Sequence, residues 1–316
     1  MDKSHREKRW FFVAGEGDIF LILRWAETAC GNRLSRVRDA DIRLTKRIGC
    51  AMLCNGSESM PENKRFLNSN AIKLIAIIAM TVDHIAWAVY PGYSTEPAAI
   101  VMHIIGRLTC PIMCYCIAEG YHYTRDVKKY TRRLLIFALI SHVPYMLQSS
   151  AFFEFGALAL VPFATGGSVM GHLLNQTSVM WSLAIGLIML RVNYSEKIKQ
   201  QWKPVLILLL CIAAFPADWS CIASLFVFAI GTNRGKPLGQ ILWCLFFVGL
   251  YALVYCLSMS VTYGLIQFGV LLAIPVIALY NGQRGKNPTV NKIMKWVFYA
   301  YYPLHLLVIA LVRIFA

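Results

Sequence analysis

The sequence is poor in charge, and the charge it has is lopsided. Only 15% of its 316 residues are Asp, Glu, Lys or Arg, against about a quarter in soluble domains. With a mean hydropathy of +0.55, that scarcity excludes a soluble globule and a disordered chain. Acidic residues number 16 against 31 basic ones. Nucleic-acid binding would need a basic face on a soluble surface. Beyond residue 70, however, Lys and Arg cluster in short links between apolar runs. Metal-ligand spacing is missing too. Cys50 and Cys54 are separated by three residues, and Cys110, Cys114 and Cys116 lie inside an apolar run, so no paired C-x2-C forms. Most of the ten cysteines read as small buried hydrophobes. The apolar stretch from Trp10 to Trp25 carries Glu16 and Asp18 at its middle, which suits neither a span nor a signal peptide. There is no visible internal repeat and no convincing G-x-x-x-G face.

What is there is a succession of long apolar runs. They cover approximately 71–91, 98–122, 129–148, 176–193, 203–216, 219–232, 237–258, 261–280 and 294–315. The expected fold is all-α: a polytopic membrane helix bundle of about nine spans. The fifth and sixth runs are short of the roughly 20 residues a straight span needs. They are expected to tilt or to form a hairpin around Pro216-Ala217-Asp218-Trp219. Residues 1–69 mix Arg-rich and short apolar pieces and read as a poorly ordered, dispensable basic extension, with residues 70–316 as the membrane domain.

Orientation follows from the basic residues, which hold loops on the cytoplasmic side. The second link holds Arg125, Lys128, Lys129, Arg132 and Arg133, and later ones hold Lys197, Lys199 and Lys203, then Arg234 and Lys236, then Arg284, Lys286, Lys292 and Lys295. The intervening links around Ser149–Thr177, Asp218 and Met259 carry no Lys or Arg. One topology satisfies them all, with the N-terminus inside and the C-terminus outside.

Ionisable groups within spans are expensive and face a bundle interior or a cavity. Here they are Asp83, His84, His103, Arg107, His142 and His305, with Asp218 at an outer link and Glu119 near an inner end. His142, ahead of Pro144, reads as a packing group. Arg107 reads equally as a counter-charge for Asp83 or Asp218 and as a binding group. The cluster Trp296, Phe298, Tyr299, Tyr301 and Tyr302 reads as interface belt and packing. Asp83 and His84 are neighbours about 100° apart on a helix, so they do not pair with each other. The acid that orients His84 is expected on another helix.

Several motifs resemble the TraX family. They are Asn70 and Lys73 with Thr81-Val82-Asp83-His84-Ile85; Ile105-Gly106-Arg107 with Pro111 and Glu119-Gly120; Tyr130 with Arg132-Arg133-Leu134; Ser141-His142-Val143-Pro144; Asp218-Trp219; and Tyr302-Pro303-Leu304-His305-Leu306. The likeness runs from about Leu67 to the end. It implies a bacterial inner-membrane protein related to polytopic transmembrane acyltransferases, which take acetyl groups from cytosolic acetyl-CoA. The family is named for acetylation of a pilin N-terminus. Many of those acyltransferases carry a basic residue, ten intervening positions and a catalytic histidine. Lys73 and His84 have that spacing, with Lys where Arg is usual.

The expected activity is therefore acetyl transfer from acetyl-CoA, a co-substrate, to a pilin-like amine or an envelope glycan or lipid group. His84 would be the base, with Asp83 or Asp218 fixing its charge and Arg107 and His305 holding carbonyl or acceptor. Lys73, Arg125, Lys128, Lys129, Arg132 and Arg133 would attract the phosphates of coenzyme A. The same link charges are equally explained as topology determinants. A transporter or flippase would also use intramembrane charges and helix breakers. A non-catalytic pilus or envelope assembly factor would not need the buried His and Asp set.

Overall fold

The computed structural model describes residues 65–149 and 176–315. The dispensable extension expected over residues 1–69 lies, except for its last residues, outside the described part. Among the described residues the structure is helical, with two isolated bridges and no strand ladder. Helix α1 is Ser69–Val89, α2 is Pro97–Gly106, α3 is Thr109–Tyr123 and α4 is Val127–Gln148. Next come α5 (Val179–Asn193), α6 (Lys203–Ala214), α7 (Ser220–Thr232) and α8 (Pro237–Ser258). Then α9 (Val261–Ile266), a 3-10 segment Gln267–Leu272 and α10 (Ala273–Ala278) form one broken rod, and α11 is Pro288–Phe315.

Five helical stretches are long and apolar enough to cross a membrane: Ser69–Val89, Pro97–Tyr123, Pro237–Ser258, Val261–Ala278 and Pro288–Phe315. Of the other runs expected to span, α4 carries Lys128, Lys129, Arg132 and Arg133 in its first two turns. Helices α6 and α7 have 12 and 13 residues, short of a straight span. The lipid-facing character is plain on α8, where Leu238, Leu242, Phe246, Leu250, Leu253 and Leu257 are all exposed. Spaced three or four apart, they form one apolar stripe turned away from the core.

Helix α5 is the hub, packed against α7, α4, α6 and α3, with Leu183, Leu187, Met189 and Leu190 fully buried. It meets α7 closely because the residues there are small. Ser182 Oγ donates to Ser220 O at 2.6 Å and Ser224 Oγ donates to Ser182 O at 2.7 Å, as polar side chains do between membrane helices.

The basic links share one end of the bundle. Arg234 donates from Nε to Glu119 at 2.9 Å, tying the α7–α8 link to the end of α3. Asn70 reaches Asn291 at 2.7 Å, joining the starts of α1 and α11. At the opposite end, Asp218 N donates to Thr177 O at 2.8 Å and Gln176 N to Pro216 O at 2.7 Å. That clasp fixes the α6–α7 link beside the start of α5.

Candidate functional site

The run expected as one second span breaks at Arg107-Leu108 into α2 and α3. Pro111 explains the break: proline lacks an N–H and its ring crowds the carbonyl four residues earlier, here that of Arg107. The break turns Arg107 inward, where it is 6% exposed. Its Nη2 lies 3.4 Å from Asp83 Oδ1 and its Nη1 donates to Gln267 Oε1 at 3.3 Å. The same Asp83 oxygen accepts from His103 Nδ1 at 2.9 Å. Gly106 makes this possible, because a side chain there would collide with Asp83. Gly269 does the same opposite, where a β-carbon would sit 2.9 Å from Ile104 O and 3.1 Å from Arg107 Cβ. The guanidinium also lies 5.2 Å from the centroid of Trp219. Trp219 has φ +62°, an outlier for a bulky residue.

One residue further along α1, a different arrangement holds His84. Its Nδ1 is 2.8 Å from Met80 O, and a carbonyl can only accept, so the proton is on Nδ1. By the same logic His305 Nδ1 donates to Tyr301 O at 2.8 Å. His305 Nε2 then presents a lone pair to His84 Nδ1–H at 3.3 Å. Tyr301 stacks on His305 with centroids 5.1 Å apart, and its hydroxyl meets Thr81 Oγ1 at 2.7 Å. Thr81 already donates to Ile77 O, so Tyr301 is the donor. With Nδ1 protonated, His84 Nε2 carries a lone pair that makes no hydrogen bond among the described residues.

His84 lines a cavity of about 30 Å³ with Asp83, Asp218, Gly106, Thr109, Cys110 and Tyr302 among its walls. That is room for a water or two. A second cavity, of about 280 Å³, opens at the basic end between Lys73, Tyr115, Glu119, Tyr123, Tyr280 and Arg284. Both lie along α1 and α3. Lys73 and Met80 mark their respective walls on α1, about 10 Å apart at 1.5 Å per residue.

A family model described as TraX protein matches residues 68–313. The chain belongs to the TraX family. This TraX-family chain is also 27% identical over 249 residues to the probable fimbrial assembly protein FimC, serogroup H1, of Dichelobacter nodosus, covering 77% of the present chain and 95% of that protein. A shorter likeness, 33% over 72 residues, is to the uncharacterized protein RP591 of Rickettsia prowazekii (strain Madrid E), covering 23% of this chain and 25% of that one. No solved structure matches.

The residues singled out in the sequence fall into three groups. Asp83, His84, Arg107, His305 and Asp218 converge on or beside the central cavity. Asp83 is taken up by His103 and Arg107, and the partner found for His84 is His305 rather than an acid. Lys73 lines the basic-end cavity and lies 5.2 Å from the Phe298 ring. Arg125, Lys128, Lys129 and Arg132 are exposed, and none of them, nor Arg133, is among that cavity's walls. At its exposed site Lys129 pairs with Asp126 at 3.5 Å, and the backbone N–H of Lys129 holds the Asp126 carboxyl below its ordinary range. Sequence reasoning passed over Gln267, read Tyr301 and Tyr302 as belt and packing, and counted Arg284 among the link charges.

Proposed function

We propose that this protein is a membrane acetyltransferase, taking an acetyl group from acetyl-CoA at its basic end and passing it to an acceptor reached from the opposite end. The observation that carries the reading is His84: a half-buried imidazole whose Nδ1–H is held and whose Nε2 lone pair is unclaimed among the described residues, beside a cavity. General-base catalysis needs that combination. His305 adds to it, since its lone pair faces the His84 N–H and stabilises the imidazolium formed when His84 accepts a proton. Asp218, on the same cavity, balances that charge or holds an acceptor ammonium. Asp83 and Arg107 hold α1 and α2 together and keep the site in register.

The second cavity is the donor end of this reading. Lys73 and Arg284 offer cations for phosphate, and the basic links face the cytoplasm by the usual charge asymmetry. In this reading the protein sits in a bacterial inner membrane, in keeping with its family. Kinship to a fimbrial assembly protein favours a pilin-like N-terminal amine as acceptor over a glycan or lipid group. The central cavity admits water only, so its walls move apart when an acceptor enters.

The test uses detergent-purified protein with acetyl-labelled coenzyme A. Histidine-dependent release of acetate is expected, falling at least 100-fold in His84→Ala while donor binding persists. Turnover by His84→Ala equal to wild type overturns the assignment of the base. No interaction of folded wild type with acetyl-CoA overturns the enzyme.

A further inference from the structure

A second unused polar group borders the central cavity. Tyr302 has no exposed surface, lines the cavity beside His84 and Val179, and its hydroxyl has no hydrogen-bond partner among the described residues. Buried tyrosine hydroxyls nearly always find one. The Ser178 hydroxyl and the Val179 backbone N–H stand close to it, without meeting hydrogen-bond geometry. Ser178 is anomalous in the same way. It occupies the N-cap of α5, where a serine normally accepts from the first turn, yet it caps nothing. Its buried hydroxyl is also unpartnered among the described residues. Two idle hydroxyls thus stand together at the N-terminus of a 15-residue helix, whose free N–H groups favour negative charge. The rings of His84 and Tyr302 meet edge to face with centroids 6.2 Å apart, so base and phenol border the same cavity.

We propose that the Tyr302 hydroxyl, with Ser178 beside it, is the oxyanion donor of the acyl transfer. This rests on the acetyltransferase reading. The acceptor N–H or O–H gives its proton to His84 Nε2 as its heavy atom bonds to the thioester carbonyl carbon. The carbonyl π pair moves onto oxygen, where Tyr302 O–H receives it. When that pair returns, the C–S bond breaks and the thiolate leaves with the proton held by His84. Donors placed where charge develops, rather than on the ground-state carbonyl, accelerate the step without tightening substrate binding.

The experiment follows acetyl-CoA hydrolysis, with water as acceptor, in detergent-purified wild type, Tyr302→Phe, Ser178→Ala and His84→Ala. Tyr302→Phe keeps the ring and removes only the hydroxyl. Its kcat is expected to fall about 100-fold with KM, pH profile and melting temperature unchanged, and Ser178→Ala is expected to lose less. Wild-type turnover with Tyr302→Phe within twofold of it overturns the oxyanion role and leaves the acetyltransferase intact. Should Tyr302→Phe fold poorly, unchanged kcat in well-folded Ser178→Ala overturns the paired-hydroxyl site. An inactive, folded wild type overturns both readings.

Discussion

The two cavities strung along α1 and α3 differ in what surrounds them. The central one is small, about 30 Å³, and its polar walls are titratable groups held from several helices. The basic-end one is about ninefold larger by volume, at 280 Å³, and its polar walls include Lys73 and Arg284 together with Glu119. A small site with proton donors and acceptors suits chemistry, because electrostatic effects strengthen where little water fits. A roomy site with cations suits recognition of an anionic group, at the cost of screening by salt. The difference teaches where to expect rate effects and where to expect affinity effects.

The comparison breaks most severely at Asp83. Asp83→Asn leaves Arg107 buried without its counter-charge, a loss of about 3–5 kcal/mol for buried pairs. The melting temperature in detergent should fall by on the order of 10 °C, and a fall of less than 2 °C, read with the same dye, would show that Arg107 finds another anion. A smaller effect sharpens the other side. Arg284→Ala should raise the concentration of acetyl-CoA giving half-saturation about tenfold, as losing one charge-assisted contact does, and leave the maximal rate alone. A lowered rate with unchanged saturation would move Arg284 to the chemical step. Smallest of all is Lys129→Ala. An exposed, solvent-screened pair adds little, so stability and donor saturation should match wild type in parallel titrations. A tenfold loss of affinity there would return the second link to the donor site.

Much of the central site was legible in the sequence because charge is conspicuous in an apolar run. Asp83, His84, Arg107, His305 and Asp218 stood out for that reason, and the bundle brings them to one region. Pairings were not legible, since they depend on which helix faces which. His103 was visible as an ionisable group, yet its bond to Asp83 needed the break at Pro111. Gln267 and Tyr302 were hidden by chemistry: an amide or a phenol among Leu, Phe and Val reads as packing. Arg284 was counted as a topology charge, as were Arg125 and Lys128, and nothing in spacing alone separates a cavity wall from an exposed link. Helix type was easy to read and helix length less so. The 12 residues of α6 end where the 216–219 link folds in against Thr177, a contact with no local signature.

That backbone clasp has a mechanical consequence. Gln176 with Pro216 and Asp218 with Thr177 are joined by two peptide hydrogen bonds, so the segments bearing Ser178 and Asp218 are tied to each other on the side of the bundle away from the basic links. Net, two such bonds resist parting of the two segments by about 2 kcal/mol, so the segments would come apart on the order of 3% of the time if nothing else opposed it. An acceptor arriving from that side would meet Asp218 and Ser178 displaced together, so that the carboxylate and the hydroxyl come into register in one movement.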